Sequence, residues 1–257
     1  MTVNGLFLTD IGKVRRYNED AGTFFFHDRI EDTALAIAAD GMGGHQAGDV
    51  ASRMSVELLS GFWAEAGEEA ESDWGGWLTA NLAKVNTGVY THGQSHPELQ
   101  GMGTTVAAVI CTESKFFVGN IGDSRVYHLN SSTGKFTQVT NDHSVAAELF
   151  RAGQISETEA DHHPRKHMLT KAVGTNPAVA SDIFEVAWTK GDKLLICTDG
   201  LSNKVSDESL ARIMTGHTLL ASAGQAMIDE ANHMGGEDNI SLILVEHGHK
   251  GGGISAS

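Results

Sequence analysis

Residues 34–39 (Ala-Leu-Ala-Ile-Ala-Ala) carry no polar side chain, and the run ends on Asp40, with Gly41-Met42-Gly43-Gly44-His45 directly after it. An apolar run this short, stopped by a carboxylate and glycines, reads as a buried strand. A buried strand that delivers one Asp to a glycine-rich turn serves one of two chemistries. The turn cradles a phosphate on backbone N–H groups, or the Asp holds a metal and the glycines let backbone and ion approach closely. Asp-Gly alone is also a common turn dipeptide. Recurrence adds weight: residues 194–200 (Leu-Leu-Ile-Cys-Thr-Asp-Gly) repeat the design, and Asp238 opens another strand-like stretch at 238–244.

The chain has 257 residues, which suits one large domain or two small ones with a sizeable core. The formal net charge of -15 disfavours nonspecific binding to nucleic acid or anionic membrane, since both need basic patches. Cys111 and Cys197 lie inside apolar runs and read as buried free thiols, which fits a reducing compartment. The N-terminus lacks a signal-peptide pattern, and no run approaches membrane-spanning length. A cytoplasmic protein that is not membrane-embedded is expected, monomeric by default.

Short strands are expected at 6–10, 106–111, 115–120, 124–129, 135–139, 181–187 and 193–198. Their spacing, with turn-like breaks at 112–114 and 122–123, favours antiparallel sheets over a doubly wound parallel sheet. Helical spacing marks 47–63, through Val50, Met54, Leu58 and Phe62, and a second helix carrying Trp74, Trp77, Leu78, Leu82, Val85 and Val89. Helical pieces follow at 201–214, and a last helix shows one face through Leu220, Ala223, Met227, Ala231 and Met234. Residues 65–73 are acidic and loop-like. Residues 12–20 form a charge-dense segment ahead of Phe24-Phe25-Phe26.

Residues 141–174 differ in character. A helix is expected at 144–152, a capping box at Ser156-Glu157-Thr158-Glu159, and a polar, basic stretch at 162–167. Poor in apolar residues, this segment is expected near the surface and mobile. Its histidines fit no standard zinc spacing and read as solvent-facing. The organisation expected is one domain over 1–246, a flap at about 141–174, and a disordered tail over 247–257.

Asp40, Asp123, Asp199 and Asp238 each sit at a strand end or turn. Side chains at the ends of neighbouring strands can converge, and converging carboxylates repel unless a cation neutralises them. All-oxygen donors favour magnesium, manganese or calcium over zinc. Two such ions about 3.5–4 Å apart would activate a water for in-line displacement at phosphorus. Arg15, beside Glu19 and Asp20, would clamp phosphoryl oxygens through its planar fork.

The ordered set then acquires a name. Arg15-x-x-Asn18-Glu19-Asp20, Asp40-Gly41-Met42-Gly43-Gly44-His45, Gly101-Met102-Gly103-Thr104-Thr105, Gly119-Asn120-Ile121-Gly122-Asp123-Ser124-Arg125, Asp142-His143-Ser144, Leu169-Thr170-Lys171-Ala172-Val173-Gly174, Thr198-Asp199-Gly200 and Gly236-Glu237-Asp238-Asn239 resemble the metal-dependent serine/threonine protein phosphatases (PPM family, type 2C) across nearly the whole chain. The resemblance is nearest to compact Gram-positive members, which pair with a membrane serine/threonine kinase. It implies an α+β fold, an α-β-β-α sandwich of two antiparallel sheets flanked by helix pairs. It implies hydrolysis of phosphoserine and phosphothreonine in proteins by direct attack of metal-bound hydroxide, with no phosphoenzyme. By motif, Asp40 would bridge two Mn2+ or Mg2+ ions, the Gly41 carbonyl would bind one, and Asp199 and Asp238 would complete the other. Asp123 with Asp199 would hold a third ion, Glu19 and Asp20 would orient water, and Arg15 would bind phosphate. Ser144, His163 and Arg165 are the flap residues expected to meet substrate. One departure stands out: Met42 occupies the position where animal members carry a His proposed as general acid. Water on the third metal, or His45, would take that role. A non-catalytic binding relative would have lost a core carboxylate or Arg15, and all are present. A nuclease would need a basic groove that this acidic chain lacks.

Overall fold

The computed structural model describes residues 2–43 and 47–248. The chain opens with β1 (Thr2–Asp10), β2 (Asp20–Phe26) and β3 (Ala34–Met42), followed by α1 (Ala47–Glu65) and α2 (Trp74–Ser95). Five strands come next: β4 (Gly103–Thr104), β5 (Val106–Cys111), β6 (Lys115–Ile121), β7 (Arg125–Leu129) and β8 (Phe136–Gln138). The flap carries α3 (Val145–Arg151) and α4 (Glu157–Asp161). The chain then runs through β9 (Asp182–Ala187), β10 (Lys193–Cys197), α5 (Asp199–Ser202), α6 (Asp207–Gly216), α7 (Leu220–His233) and β11 (Ile240–Gly248).

All strand pairs are antiparallel, in two sheets of order β1-β11-β10-β7-β8 and β2-β3-β5-β6-β9, with β4 beside β3. β3 has no polar side because both of its faces are covered. Leu35, Ile37 and Ala39 pack with α1 and α2, while Ala34, Ala36 and Ala38 meet Ile196, Ile243 and Val245 of the other sheet. A third layer of apolar contacts joins the β1-β11-β10-β7-β8 sheet to α5, α6 and α7 through Leu195, Leu242, Leu244, Leu201, Met214 and Met227. The result is the α-β-β-α sandwich that the resemblance implied.

The structure moves several expected boundaries. β2, for which no strand was expected, starts at Asp20, the last residue of the charge-dense segment, because Phe24 and Phe25 pair with β3 and pack inward. β3 runs past Asp40 to Met42, since Gly41 and Met42 pair with β4. β1 begins at Thr2, and a short 3-10 helix (Glu68–Ser72) lies within the acidic loop. On α1 the fully buried stripe is Ala51, Ser55, Leu59 and Trp63, not Val50, Met54, Leu58 and Phe62. Small residues let α1 lie close to the sheet, and Leu58 turns toward Gly88 of α2. Of the tail expected over 247–257, residues 247 and 248 are instead the end of β11. His247 is buried in β11, and its Nε2 lies 2.8 Å from the Glu113 carbonyl. The remainder of that tail, 249–257, lies outside the described residues, as does His45.

Candidate active site

Pleating sends alternate side chains to one face, and on the inter-sheet face each strand changes from apolar to polar toward the same end of the sandwich. Ala36 and Ala38 lead to Asp40, Ala107 leads back to Thr105, and Val126 leads back to Ser124. Leu194 and Ile196 lead to Thr198, and Val245 and Ile243 lead back to Ser241 and Asn239. Asp20 faces Asp40 in register across β2 and β3. Hydrogen bonds fix this polar end. Asp40 N donates to Thr105 Oγ1 (2.9 Å), Thr104 Oγ1 donates to the Asp40 carbonyl (2.8 Å), and Thr105 and Ser124 share a hydroxyl bond of 2.7 Å. Thr198 Oγ1 donates to Asp20 Oδ2 at 2.9 Å and accepts from Ser241 N at 3.1 Å.

Asp199 starts α5, and Asp238 lies just ahead of β11. Gly200 brings these two segments together: a Cβ there would fall 1.9 Å from the Asn239 carbonyl oxygen. Asn239 organises the N-terminal loop. Its Nδ2 donates to the carbonyls of Ile11 (2.9 Å) and Tyr17 (3.0 Å), and its Oδ1 accepts from Glu19 N (2.9 Å). The Glu19 carbonyl accepts from Gly41 N (3.1 Å) and Ser52 Oγ (2.6 Å), tying the same loop to β3 and α1. Arg15 reaches over the site, and its Nη2 lies 2.7 Å from Asp238 Oδ2.

Burial first, and the charges of Asp20, Asp199, Asp123 and Asp238 second, hold the Asp40 carboxyl well above the ordinary carboxylate range. Burial pushes Asp20 up to about 7, helped by Asp199 and Asp238 and opposed by the hydroxyls of Ser241 and Thr198. Burial likewise pushes Asp123 up to about 7, with Asp199 and Asp142 adding to it. Glu19 is raised by burial, against the pull of Arg15 and the amides of Gly48 and Asp49, and its Oε1 is buried without a hydrogen-bond partner.

A cleft of about 850 Å³ opens over these groups, with Arg15, Glu19, Asp40, Gly41, Asp123, Asp199 and Asp238 on its wall. Of the flap, Lys166, His167, Leu169, Thr170 and Ala172 line the cleft, and His167 Nδ1 lies 3.8 Å from Asp199 Oδ2. The flap residues singled out from the sequence sit elsewhere. His163 Nδ1 accepts from Arg165 N (3.2 Å) on the exposed surface, and Ser144 is a buried cap of α3, accepting from Ala147 N (3.3 Å). Asn239, Thr105 and Thr198 were not singled out. The alternation of each strand, followed one step past its apolar run, was the signal for them. The flap's return limb is stitched into the body, where Val173 and Thr104 exchange backbone bonds of 2.9 and 3.0 Å and Gly174 N donates to Asn86 Oδ1 (2.8 Å).

The donor set fits divalent cations. It is oxygen-only, its carboxylates oppose one another's ionisation, and Glu19 contributes an unsatisfied buried acceptor. Among the described residues, no three carboxylate, imidazole or thiolate groups close into a ready-made cage. The centre is an open acidic basin, with arginine and lysine on its rim for an anionic ligand.

An acidic, oxygen-lined basin at the mouth of a double-sheet sandwich defines a cation-dependent site for phosphate chemistry. Residues 14–231 match the protein phosphatase 2C family. The chain is 42% identical over 245 residues to a serine/threonine phosphatase of Listeria welshimeri, covering 93% of this chain and 94% of the relative. It is 34% identical to a protein phosphatase of Streptococcus pneumoniae, covering 93% and 95%. The Streptococcus agalactiae serine/threonine phosphatase structure superposes with a TM-score of 0.89 at 36% identity, over 95% of this chain and 99% of that one. A catalytic domain of the serine/threonine phosphatase PstP, solved with two manganese ions, gives 0.83 at 29% identity, over 96% and 99%. The chain belongs to the protein phosphatase 2C family of metal-dependent enzymes and is a serine/threonine phosphatase.

Proposed function

We propose that the chain hydrolyses phosphoserine and phosphothreonine in proteins by direct attack of water at phosphorus. The convergence of Asp20, Asp40, Asp123, Asp199 and Asp238 under Arg15 carries this reading. Asp40, the Gly41 carbonyl, Asp199 and Asp238 would hold two Mn2+ or Mg2+ ions, and Asp123 with Asp199 a third. When bound, the ions supply Lewis-acid activation of water and neutralise phosphoryl charge.

The protein's own groups account for the rest. Glu19 and Asp20 accept hydrogen bonds from the attacking water and orient it. Arg15 swings from Asp238 to the phosphoryl oxygens, where its fork donates two bonds. Direct hydrolysis is supported by the described cleft residues, which include no serine or cysteine. The Thr105, Thr170 and Thr175 hydroxyls are engaged with Ser124, Glu148 and the Ala172 carbonyl. Cys111 and Cys197 are buried away from the cleft, and burial raises both thiols, Cys197 up to about 12. Met42 lines the cleft with a thioether that cannot donate a proton, so of the two candidates, water and His45, water is favoured for protonating the leaving alkoxide.

Among the described residues no helix is long and apolar enough to cross a membrane. The enzyme is taken as a cytoplasmic monomer that opposes a cognate membrane serine/threonine kinase, a role supported by its resemblance to the compact Gram-positive phosphatases. The deciding experiment is phosphate release from a phosphothreonine peptide by metal-stripped protein, with and without Mn2+. Manganese-dependent release is expected. Folded protein that binds the peptide without turnover would indicate a binding module, and cleavage of a nucleic-acid backbone would indicate a nuclease.

A further inference from the structure

Asp142-His143-Ser144 is a sequence triplet to which the proposed chemistry assigns no part beyond the Ser144 cap. Asp142 and His143 reach back to the β6–β7 turn and grip the residues on either side of Asp123. On one side, Gly122 N donates to His143 Nδ1 and His143 N donates to the Gly122 carbonyl, both at 3.0 Å. An amide can only donate, so Nδ1 is bare and the ring proton sits on Nε2, which faces Asp182 Oδ2 at 3.1 Å. His143 is 2% exposed. On the other side, Arg125 closes a fork on Asp142, with Nε 3.1 Å from Oδ1 and Nη2 2.7 Å from Oδ2. Gln138 Nε2 donates to the same carboxylate (2.9 Å), and Arg125 Nη1 donates to Tyr127 Oη (3.0 Å).

The turn has little freedom left. Gly122 has φ of +112°, and a Cβ there would meet Thr105 Cγ2 at 2.5 Å. Ser124 shares its hydroxyl bond with the same Thr105. Gly122, Ser124 and Arg125 are thus each held by a hydrogen-bond partner, and Asp123 lines the same cleft as Asp199, whose charge opposes its ionisation. A loose turn would let that carboxylate relax away.

We propose that Asp142 and His143 are positioning residues that lock the Asp123 turn and thereby set the affinity of the cation shared by Asp123 and Asp199. This rests on the reading of Asp123 as a cation ligand. The His143 carbonyl also accepts from Thr170 N (2.9 Å), so the clasp joins that site to the flap's return limb.

Isothermal titration of Mn2+ into the metal-stripped full chain tests it, with phosphopeptide turnover against Mn2+ measured alongside. His143→Leu and Asp142→Asn should each weaken the weakest Mn2+ site by about 10- to 100-fold. His143→Asn, whose amide oxygen can take the place of Nδ1, should recover most of that loss. In an Asp123→Asn background, His143→Leu should change nothing further, because the two act through one ligand. If Asp123→Asn itself leaves Mn2+ binding unaltered, the ligand role of Asp123 fails and the inference falls with it. If Asp123→Asn removes a site while His143→Leu and Asp142→Asn bind Mn2+ like the parent, the positioning role alone is overturned. Should either clasp variant fail to fold, Arg125→Lys carries the same test, since it keeps the charge and gives up the fork.

Discussion

The floor of the cleft and the flap beside it are held in place by different means. On the floor, Asp20 and Asp40 are cross-strand partners, and Thr105, Thr198 and Asn239 fix the backbone around them through buried hydrogen bonds. Displacing any one of these groups would shift a strand. The flap is tied at its root, through His143 and Asp142, and at its return limb, through Val173 and Gly174. Between those anchors, Arg165 is exposed and His163 half-buried, and Arg165 N donates to His163 Nδ1. Chemistry that tolerates no misplacement sits on sheet register, while groups that meet varied partners sit on a tethered loop.

If that contrast is sound, substitutions on the floor should be far more damaging than substitutions in mid-flap. Asp40→Asn and Asp238→Asn should lower kcat on a phosphothreonine peptide by on the order of 10³-fold, with the protein still folded by circular dichroism. Near-parental turnover in saturating Mn2+ would break the comparison at its strongest point. Gly200→Ala drives a methyl into the Asn239 carbonyl and should cost about 1–3 kcal/mol in urea unfolding. An unchanged unfolding midpoint would show that α5 and β11 can separate without penalty. Arg15→Ala removes charge-assisted bonds and should raise KM by about 10- to 100-fold with a smaller change in kcat. An unaltered KM would take Arg15 out of phosphate binding.

The floor should also reveal itself through pH. Asp20 and Asp123, held up near 7 without metal, keep protons in the folded chain that the unfolded chain has released above about 4. The folded state binds more protons in that window, so stability falls as pH rises from about 4 to about 7. Thermal melts in chelator from pH 5 to pH 8 should show a falling midpoint, and Mn2+ should flatten the slope. A midpoint that rises with pH would mean that burial and neighbouring charge do not hold protons on these carboxylates. The smallest effect is expected mid-flap. His163→Ala and Arg165→Ala should change turnover of a small aryl phosphate by less than about 2-fold. A tenfold loss there would place the flap within the chemistry and erase the distinction.

Much of this was legible in residue order. The apolar run at 34–39, the Asp-Gly pairs and the capping box at Ser156 are local signals, set by periodicity and by side-chain chemistry acting over a few residues. They marked Asp40, Asp123, Asp199 and Asp238 as candidate oxygen donors, while the role of each came only from the family resemblance. β2 escaped because its charged start masked a strand whose apolar residues are covered only from across the sheet. The buried face of α1 was placed one step off, because serines and small residues pack there as closely as leucines. Lys166 and His167, rather than His163 and Arg165, reach the cleft, and no periodicity in the polar stretch 162–167 marks which of its side chains do so.

The sequence by itself determined most of the strands and helices, which residues carry carboxylate oxygens at strand ends, and a resemblance to phosphate-handling enzymes. Only the tertiary structure decided that Asp20 stands opposite Asp40, that Asn239 ties together the loop bearing Arg15, and that Asp142 and His143 close on the turn of Asp123. Helical and strand periodicity is written in neighbours along the chain. Register, burial and the repulsion among carboxylates depend on distances through space, and those exist only once the two sheets have closed on each other.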